Sequence, residues 1–591
     1  MCWRRCSVLV LALAAAAAAE PRDSPGSPAR PNVVIVMTDD QGYGDLGFHG
    51  NPVIRTPHLD AMARRSARLA NFYVHPVCTP TRASLLTGRW AQRTRAIDTY
   101  IGRAMMEPGE VTLAELLRDA GYATGIFGKW HLGDCYPMRP QDQGFEEVLV
   151  HRGGGIGQPS DPEGGEARYT DAVLFHNGER LNSEGYCTDV YFEAAVDWMR
   201  GAAAGGRPFF AYVATNAPHG PFGDVPEELY AGYRERDLSP ARFPRGEGHA
   251  LPEEHDEDRL ARILAMITNV DENVGRLFAF LGEAGLADDT LVLFLVDNGP
   301  NGRRYVAGMR GMKSAVHEGG VRSPFFAHWP ARLAPGLASD RIAAHVDVLP
   351  TVLEACGVAP PAGLRLDGRS LLPLLEGRGT PWPDRTLVIQ AHRGNEAVRY
   401  HHFLARTQRW KLLNASGFGN ELASVEPRFE LYDMEADPLE LRDLAAEEPA
   451  VVARMKAAYD AWFDDVGSTR PDNYAPPRIH LGGAEARRVA LTRQDWRRTS
   501  ADGGWGRRSA GHWEVLVVEE GPYRVRVRFP PGGSVERAIL RLGEATWSEE
   551  TSGGEHVFEG VRLPAGPGRL EVLLEDGSGT VGAFQVFVER T

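Results

Sequence analysis

Two pairs of oxygen-bearing side chains close apolar runs in this chain: Asp39-Asp40 ends "VVIVMTDD", and Asp297-Asn298 ends "TLVLFLVDN". All four offer hard donors, a set that suits Ca2+ or Mg2+ and not a thiophilic metal. Cationic and imidazole side chains accompany them: Arg82, Lys129 and Lys313, with His131 and His219. A divalent metal ringed by fixed cations binds a tetrahedral oxyanion and stabilises charge on it during transfer. The remaining reactive group is Cys78, in "HPVCTPTRASLLTGR", one of only six cysteines. Thr79 can act as an N-cap, Pro80 fits a first helical turn and Gly88 can end the helix. Cys78 is thereby expected at a helix N-terminus, where thiols acidify and anions gather, with Arg82 one turn on and pointing back. A plain thiolate beside a hard metal is a mismatched nucleophile for oxyanion transfer. The thiol therefore reads as a precursor, not as the final chemical form.

Such a constellation needs a scaffold that brings distant segments to one rim. Val33 to Met37 is an unbroken apolar run, as in a strand buried on both faces. "ATGIFGKWHLG", "RPFFAYVATNAPHG" and "TLVLFLVDNGPN" repeat that texture, and helical stretches such as "TLAELLRDAG" lie between them. Strands alternating with helices predict an α/β fold, a large and mostly parallel sheet flanked by helices. The four strands deliver Asp39 and Asp40, Lys129 and His131, His219, and Asp297 and Asn298 at their ends. Open α/β sheets bind ligands outside the carboxyl ends of their strands.

Residues 31–339 are the expected catalytic domain, and 340–470 read as a smaller α+β subdomain containing "RWKLLN" and "FELYDMEADPLE". After the Pro-rich break "RPDNYAPPR", the texture changes. "PYRVRVRF" alternates strictly, with Tyr523, Val525, Val527 and Phe529 on one face and Arg524, Arg526 and Arg528 on the other. Short strands with Gly/Pro turns over 484–591 predict an appended β-sandwich. Its Trp513 and Trp547 are expected in the core and its arginines in solvent, with carbohydrate binding as the alternative. The Gly-rich stretch "HRGGGIGQPSD", 151–161, reads either as pocket lining or as a flexible loop.

"CTPTRASLLTGR" closely resembles the type I sulfatase signature, Cys-x-Pro-x-Arg followed by Leu-Thr-Gly. The likeness continues through "VMTDDQGYGDLG", "GIFGKWHLG", "NAPHGPF", "VDNGPN", "GMKSAVHEGGVRSP" and "ELYDMEADPLE", in the family's order from about residue 31 to 465. Thr81 departs from the commoner Ser or Ala without touching the Cys78, Pro80 and Arg82 core of the motif. The resemblance implies an alkaline phosphatase-like fold and an arylsulfatase-like sulfuric ester hydrolase acting on an aryl or carbohydrate sulfate ester. It implies that a formylglycine-generating enzyme oxidises Cys78 to formylglycine (3-oxoalanine), whose hydrate is the nucleophile. Asp39, Asp40, Asp297 and Asn298, with residue 78, would hold one divalent cation, Ca2+ ahead of Mg2+. Arg82 and Lys129 would support the diol, while His219 and Lys313 would contact the sulfate and the leaving oxygen. His131 would then take a proton from the remaining hydroxyl, and C–O cleavage would release sulfate. A phosphodiester or phosphonate ester hydrolase of the same superfamily is the alternative reading. An exported, non-catalytic binder of anionic glycans is a second.

With 43% hydrophobic and 24% charged residues over 591 positions, the chain has material for two or three packed domains. A net charge of −14 argues against a nucleic-acid partner, although a local cationic pocket can sit on an acidic body. Trp3-Arg4-Arg5 followed by the apolar run Ser7 to Ala19 predicts a signal peptide over 1–19, too short for a stable membrane span. A Pro/Ser linker over 20–30 follows, and the mature protein is expected to be exported, periplasmic or secreted. Export permits at most one disulfide among Cys135, Cys187 and Cys356 if Cys78 is otherwise engaged.

Overall fold

The computed structural model describes residues 30–591 except 245, 252–255, 380, 392, 420–425, 500–503, 532–534 and 578. The expected signal peptide and all but the last residue of the linker lie outside the described residues. Five parallel strands form the middle of a ten-stranded sheet, in the order Thr290–Val296, Asn32–Thr38, Phe209–Ala214, Ala123–Lys129 and Glu147–His151. Antiparallel strands extend both edges, Phe325–His328 on one side and Val173–His176 on the other.

The continuous apolar runs have the predicted cause. Every residue of Asn32–Thr38 is buried, and its side chains alternate between two cores. Val34 and Val36 face Leu59, Tyr191 and Leu264, from three helices on one side. Val33, Ile35 and Met37 face Ala83, Leu85 and Leu86 of the Cys78–Thr87 helix on the other. Each such aliphatic side chain contributes about 1.5–3 kcal/mol by burial. At Gly128, φ is 125° and an added Cβ would lie 1.9 Å from the Ala214 carbonyl oxygen, so only glycine allows these strands to pair.

A four-stranded antiparallel sheet follows, Leu387–Gln390, Phe403–Arg406, Trp410–Asn414 and Glu430–Asp433. Val451, Met455 and Tyr459 of the helix Pro449–Gly467 cover one of its faces. The last part, from Ile479–Leu481 onward, consists of two facing sheets around a core containing Trp513, Tyr523, Val525 and Val527. Trp547 packs against that core.

Arg524 is exposed to solvent as expected, but Arg526 and Arg528 are partly covered. Arg526 and Arg528 each reach Glu163 at 3.2 Å, on the loop that follows the Gly-rich stretch, and only Arg524 stays within its own sheet, on Glu559. The two parts also share one core, for Tyr100, Ile101, Met105 and Met138 of the α/β body join the same cluster as Trp513.

Candidate active site

Asp39 and Asp40 follow directly on the Asn32–Thr38 strand, Lys129 ends the Ala123–Lys129 strand, and Asp297 and Asn298 follow Thr290–Val296. His219 comes five residues after Phe209–Ala214. The carboxyl ends of four adjacent parallel strands thus supply one rim. The Cys78–Thr87 helix presents Cys78 there: its Sγ lies 3.3 Å from Asp39 Oδ1 and 3.5 Å from Lys313 Nζ.

The helix begins differently from the sequence expectation. Val77, in an extended conformation, is the N-cap, and Cys78 itself is the first helical residue. Thr79 is no cap, because its Oγ1 donates instead to the His131 carbonyl at 3.1 Å. Gly88 does end the helix, with φ 65°. Arg82 does not point back to the thiol either. Its Nε and Nη2 converge on Asp297 Oδ2 at 3.2 and 2.8 Å, and Nη1 donates to the Lys129 carbonyl at 3.0 Å.

Three carboxylates therefore meet three cations. Lys129 binds Asp39, Arg82 binds Asp297 with Asp39 at 4.0 Å, and Lys313 Nζ lies 2.5 Å from Asp40 Oδ1. Burial alone would raise the Asp40 carboxyl, but Lys313 and then His219 outweigh it and hold the group well below the ordinary range. Asp297 goes the other way, up to about 6, through burial and the neighbouring Asp39 charge. Lys313 remains firmly charged because Asp40 outweighs its own desolvation. The Cys78 thiol is also a correction: burial, then Asp297 and Asp39, push it up, so it is a protonated thiol and not an acidified one. The nearby carboxylates and low dielectric override the helix end.

Several buried acceptors in this cluster lack partners. Asp40 Oδ2 and Asn298 Oδ1 make no hydrogen bond, while Asn298 Nδ2 is anchored on Asp40 Oδ1 at 2.8 Å. Ligand atoms of Asp39, Asp40, Cys78 and Asp297 all lie within 4.8 Å of one another. Orphaned hard oxygens converging on one point fit a divalent cation. Asp40 holds φ at 63° to present its carboxylate there.

The two histidines flank the cluster. Burial lowers both, His219 to about 4 and His131 well below its usual value, so both are neutral near pH 7. His131 Nε2 donates to the Thr99 carbonyl at 2.7 Å, which leaves Nδ1 bare and without a partner. His219 Nδ1 donates to the Gly220 carbonyl, and Nε2 faces Asp40 Oδ2 at 3.7 Å. The Gly-rich stretch lines the same pocket. A Cβ on Gly154 would lie 2.7 Å from the His131 ring, and one on Gly155 would lie 2.8 Å from His219. A cleft of about 840 Å³ opens beside Lys313, with Arg303, Arg310, His249, Phe243 and Phe418 among its described lining residues.

Comparison with known proteins decides the family, since residues 31–358, more than half of the chain, match the Sulfatase family. The chain belongs to the sulfatase family. Residues 312–460 of this sulfatase match the family described as N-sulphoglucosamine sulphohydrolase, C-terminal. Human arylsulfatase A is 33% identical over 468 residues, covering 72% of this chain and 86% of its own. N-acetylgalactosamine-6-sulfatase of Sus scrofa is 32% identical over 429 residues, 65% of this chain and 74% of its own. Among solved structures, Ps i-CgsB in complex with k-i-k-neocarrahexaose superposes with a TM-score of 0.61 at 26% identity, over 73% of this chain and 92% of that one. The protein is accordingly a sulfuric ester hydrolase with an alkaline phosphatase-like α/β fold.

All ten residues expected at the site come together on this rim. Sequence reasoning missed three supports. Arg304 grips both oxygens of Asp45 and the Asp40 carbonyl, fixing the turn that follows Asp39 and Asp40. Thr99 receives His131, and Gln494, from the C-terminal β part, reaches the same carbonyl at 2.8 Å. Asp45 lies in the quoted "DDQGYGD" stretch and could have been found there; Thr99 and Gln494 carry no local signal. Cys135, Cys187 and Cys356 are buried and free.

Proposed function

We propose that this sulfatase removes sulfate from an anionic sugar or an aryl alcohol, with Cys78 in its formylglycine form and one divalent cation, Ca2+ ahead of Mg2+, held by Asp39, Asp40, Asp297, Asn298 and residue 78. The observation that carries this reading is the Cys78 side chain, wedged between Asp39 and Lys313 at the centre of the balanced charge cluster. A protonated thiol in that setting is a poor nucleophile for sulfur. Once oxidised by a formylglycine-generating enzyme and hydrated, residue 78 supplies a hydroxyl nucleophile and a way to expel sulfate that a simple ester lacks. A bound divalent cation would add two positive charges to a cluster whose side chains already balance, which draws an anionic ester in and stabilises its developing charge.

The remaining roles fall to this chain's own groups. Lys129 and Arg82, fully buried, hold Asp39 and Asp297 in place and keep the pocket's charges fixed. Lys313 and His219 are the partly exposed members, at the mouth where a sulfate ester enters. Lys313 stays charged and can donate to the sulfate and to the leaving oxygen. His131, neutral and with Nδ1 bare, is suited to accept a proton in the step that frees the product. The cleft's arginines and aromatic rings suit a sulfated sugar, and the named relatives act on aryl and carbohydrate sulfates. Export follows from the basic and apolar N-terminal residues, and no described helix is long and apolar enough to cross a membrane.

Protein made in a host that carries the maturation enzyme should hydrolyse para-nitrophenyl sulfate far faster than an aryl phosphate diester. Chelation should remove the activity, and Ca2+ should restore more of it than Mg2+. A preference for the phosphorus ester, or full activity after chelation, would sink the reading.

A further inference from the structure

The geometry points to Gln494, delivered by the C-terminal β-sandwich, as a positioning residue for His131. It rests on the reading of His131 as the proton acceptor. Gln494 is 1% exposed, in the turn between the Arg488–Thr492 strand and Trp496. Its Nε2 donates to the Thr99 carbonyl at 2.8 Å and lies 3.3 Å from His131 Nε2, while its main-chain carbonyl accepts from Gly102 N at 3.0 Å.

Thr99 O thus accepts two N–H groups, one from His131 and one from Gln494. Turning the amide over would set two carbonyl oxygens against each other, so the orientation is determined. With the Thr99 carbonyl held at this angle, the imidazole proton stays on Nε2 and Nδ1 stays bare. Thr99 itself has no regular secondary structure to fix it. The β-sandwich provides that support. Tyr100 meets the Trp505 ring edge-on at 5.1 Å, and a Cβ on Gly102 would lie 3.0 Å from the Asp495 carbonyl oxygen. A second arm of the same domain holds the loop opposite, where Gln585 Nε2 donates to the Asp161 carbonyl at 2.8 Å, beside the Arg526 and Arg528 pairs with Glu163. That loop carries Gly154 and Gly155, which face the two histidines. The domain therefore acts on the active site from two sides.

Gln494→Met keeps the side-chain volume and removes the donor; Gln494→Asn keeps the amide and withdraws it by one methylene. Each should lower kcat on para-nitrophenyl sulfate about tenfold, the size of one lost hydrogen bond, with KM within about twofold. In a His131→Ala background neither should lower kcat further, because the two residues act as one unit. Nitrogen-15 spectra of histidine-labelled protein should show the His131 proton confined to Nε2 in the wild type and shared between both nitrogens in the variants. Wild-type kcat in both single variants, an equal loss in the His131→Ala background, or an unmoved tautomer would overturn the proposal. A His131→Ala enzyme of undiminished kcat would instead remove the reading of His131, and the proposal with it.

Discussion

At the scale of single residues, the cations of the site divide by exposure. Lys129 and Arg82 are fully buried and bound to carboxylates, so deleting either leaves an unpaired buried charge and costs about 3–5 kcal/mol of stability before it reports on chemistry. Lys313 is 17% exposed, at the mouth, where solvent screens part of the charge that its loss would leave on the buried Asp40. Lys313→Ala is therefore expected to fold, with a smaller fall in melting temperature than Lys129→Ala or Arg82→Ala, and to lose about 10²–10³-fold in kcat, the size of one preorganised charged donor. An aryl sulfate assay alongside thermal unfolding checks both halves. Undiminished kcat would take Lys313 off the substrate. Seven of the ten candidate site residues were legible because they follow apolar runs, and Cys78, Arg82 and Lys313 because "CTPTRASLLTGR" and "GMKSAVHEGGVRSP" resemble sulfatase motifs. What those motifs did not reveal is the pairing within the site. Arg82 was expected to face Cys78, but a buried guanidinium needs the nearest carboxylate, and Asp297 is that group. The thiol was expected to acidify, and burial together with the Asp297 and Asp39 carboxylates reverses that.

At the scale of elements, two glycines separate folding from function. Gly128 has φ 125° and the Ala214 carbonyl oxygen 1.9 Å from any added Cβ, so a strand-to-strand backbone contact has nowhere to move. Gly128→Ala should give little soluble protein. Gly154 meets only side chains, the His131 ring at 2.7 Å and the Gln158 amide oxygen at 2.6 Å from an added Cβ. Gly154→Ala should fold normally, with melting unchanged within a few degrees, and lower kcat about tenfold or more by displacing His131. Equal behaviour of the two variants would contradict this division. The strands, the helix from Cys78 and its glycine stop were readable from periodicity and capping. The start of that helix was not, since Thr79 forms a tertiary bond to His131 that no local rule anticipates. Whether the Gly-rich loop lined the pocket was likewise open until its contacts with the histidines were seen.

At the scale of the whole molecule, the β-sandwich is continuous with the catalytic body through a shared core and through Gln494. Its strands could be read from alternation, but its docking could not, because the partners lie far apart in sequence. Buried histidines outside the active site set another global property. Burial lowers His345 and His402 each to about 4 from an unfolded value near 6.5. Between those values the unfolded chain binds more protons, so stability is fully present above pH 6.5 and falls as pH drops toward 4, by up to about 3 kcal/mol for each. Urea unfolding at pH 7 and pH 4.5 should show that loss, and His345→Gln should flatten it; an unchanged slope in that variant would exclude His345 as a source.

Sulfate-ester hydrolysis at this site turns on the chemical form of residue 78. The direct test is the mass of the tryptic peptide containing Cys78, from active protein produced with the maturation enzyme, beside Cys78→Ala. An aldehyde in place of the thiol is expected, in proportion to specific activity, with a Cys78→Ala protein that folds but is inactive. A fully active enzyme whose Cys78 is still an unmodified thiol would contradict it.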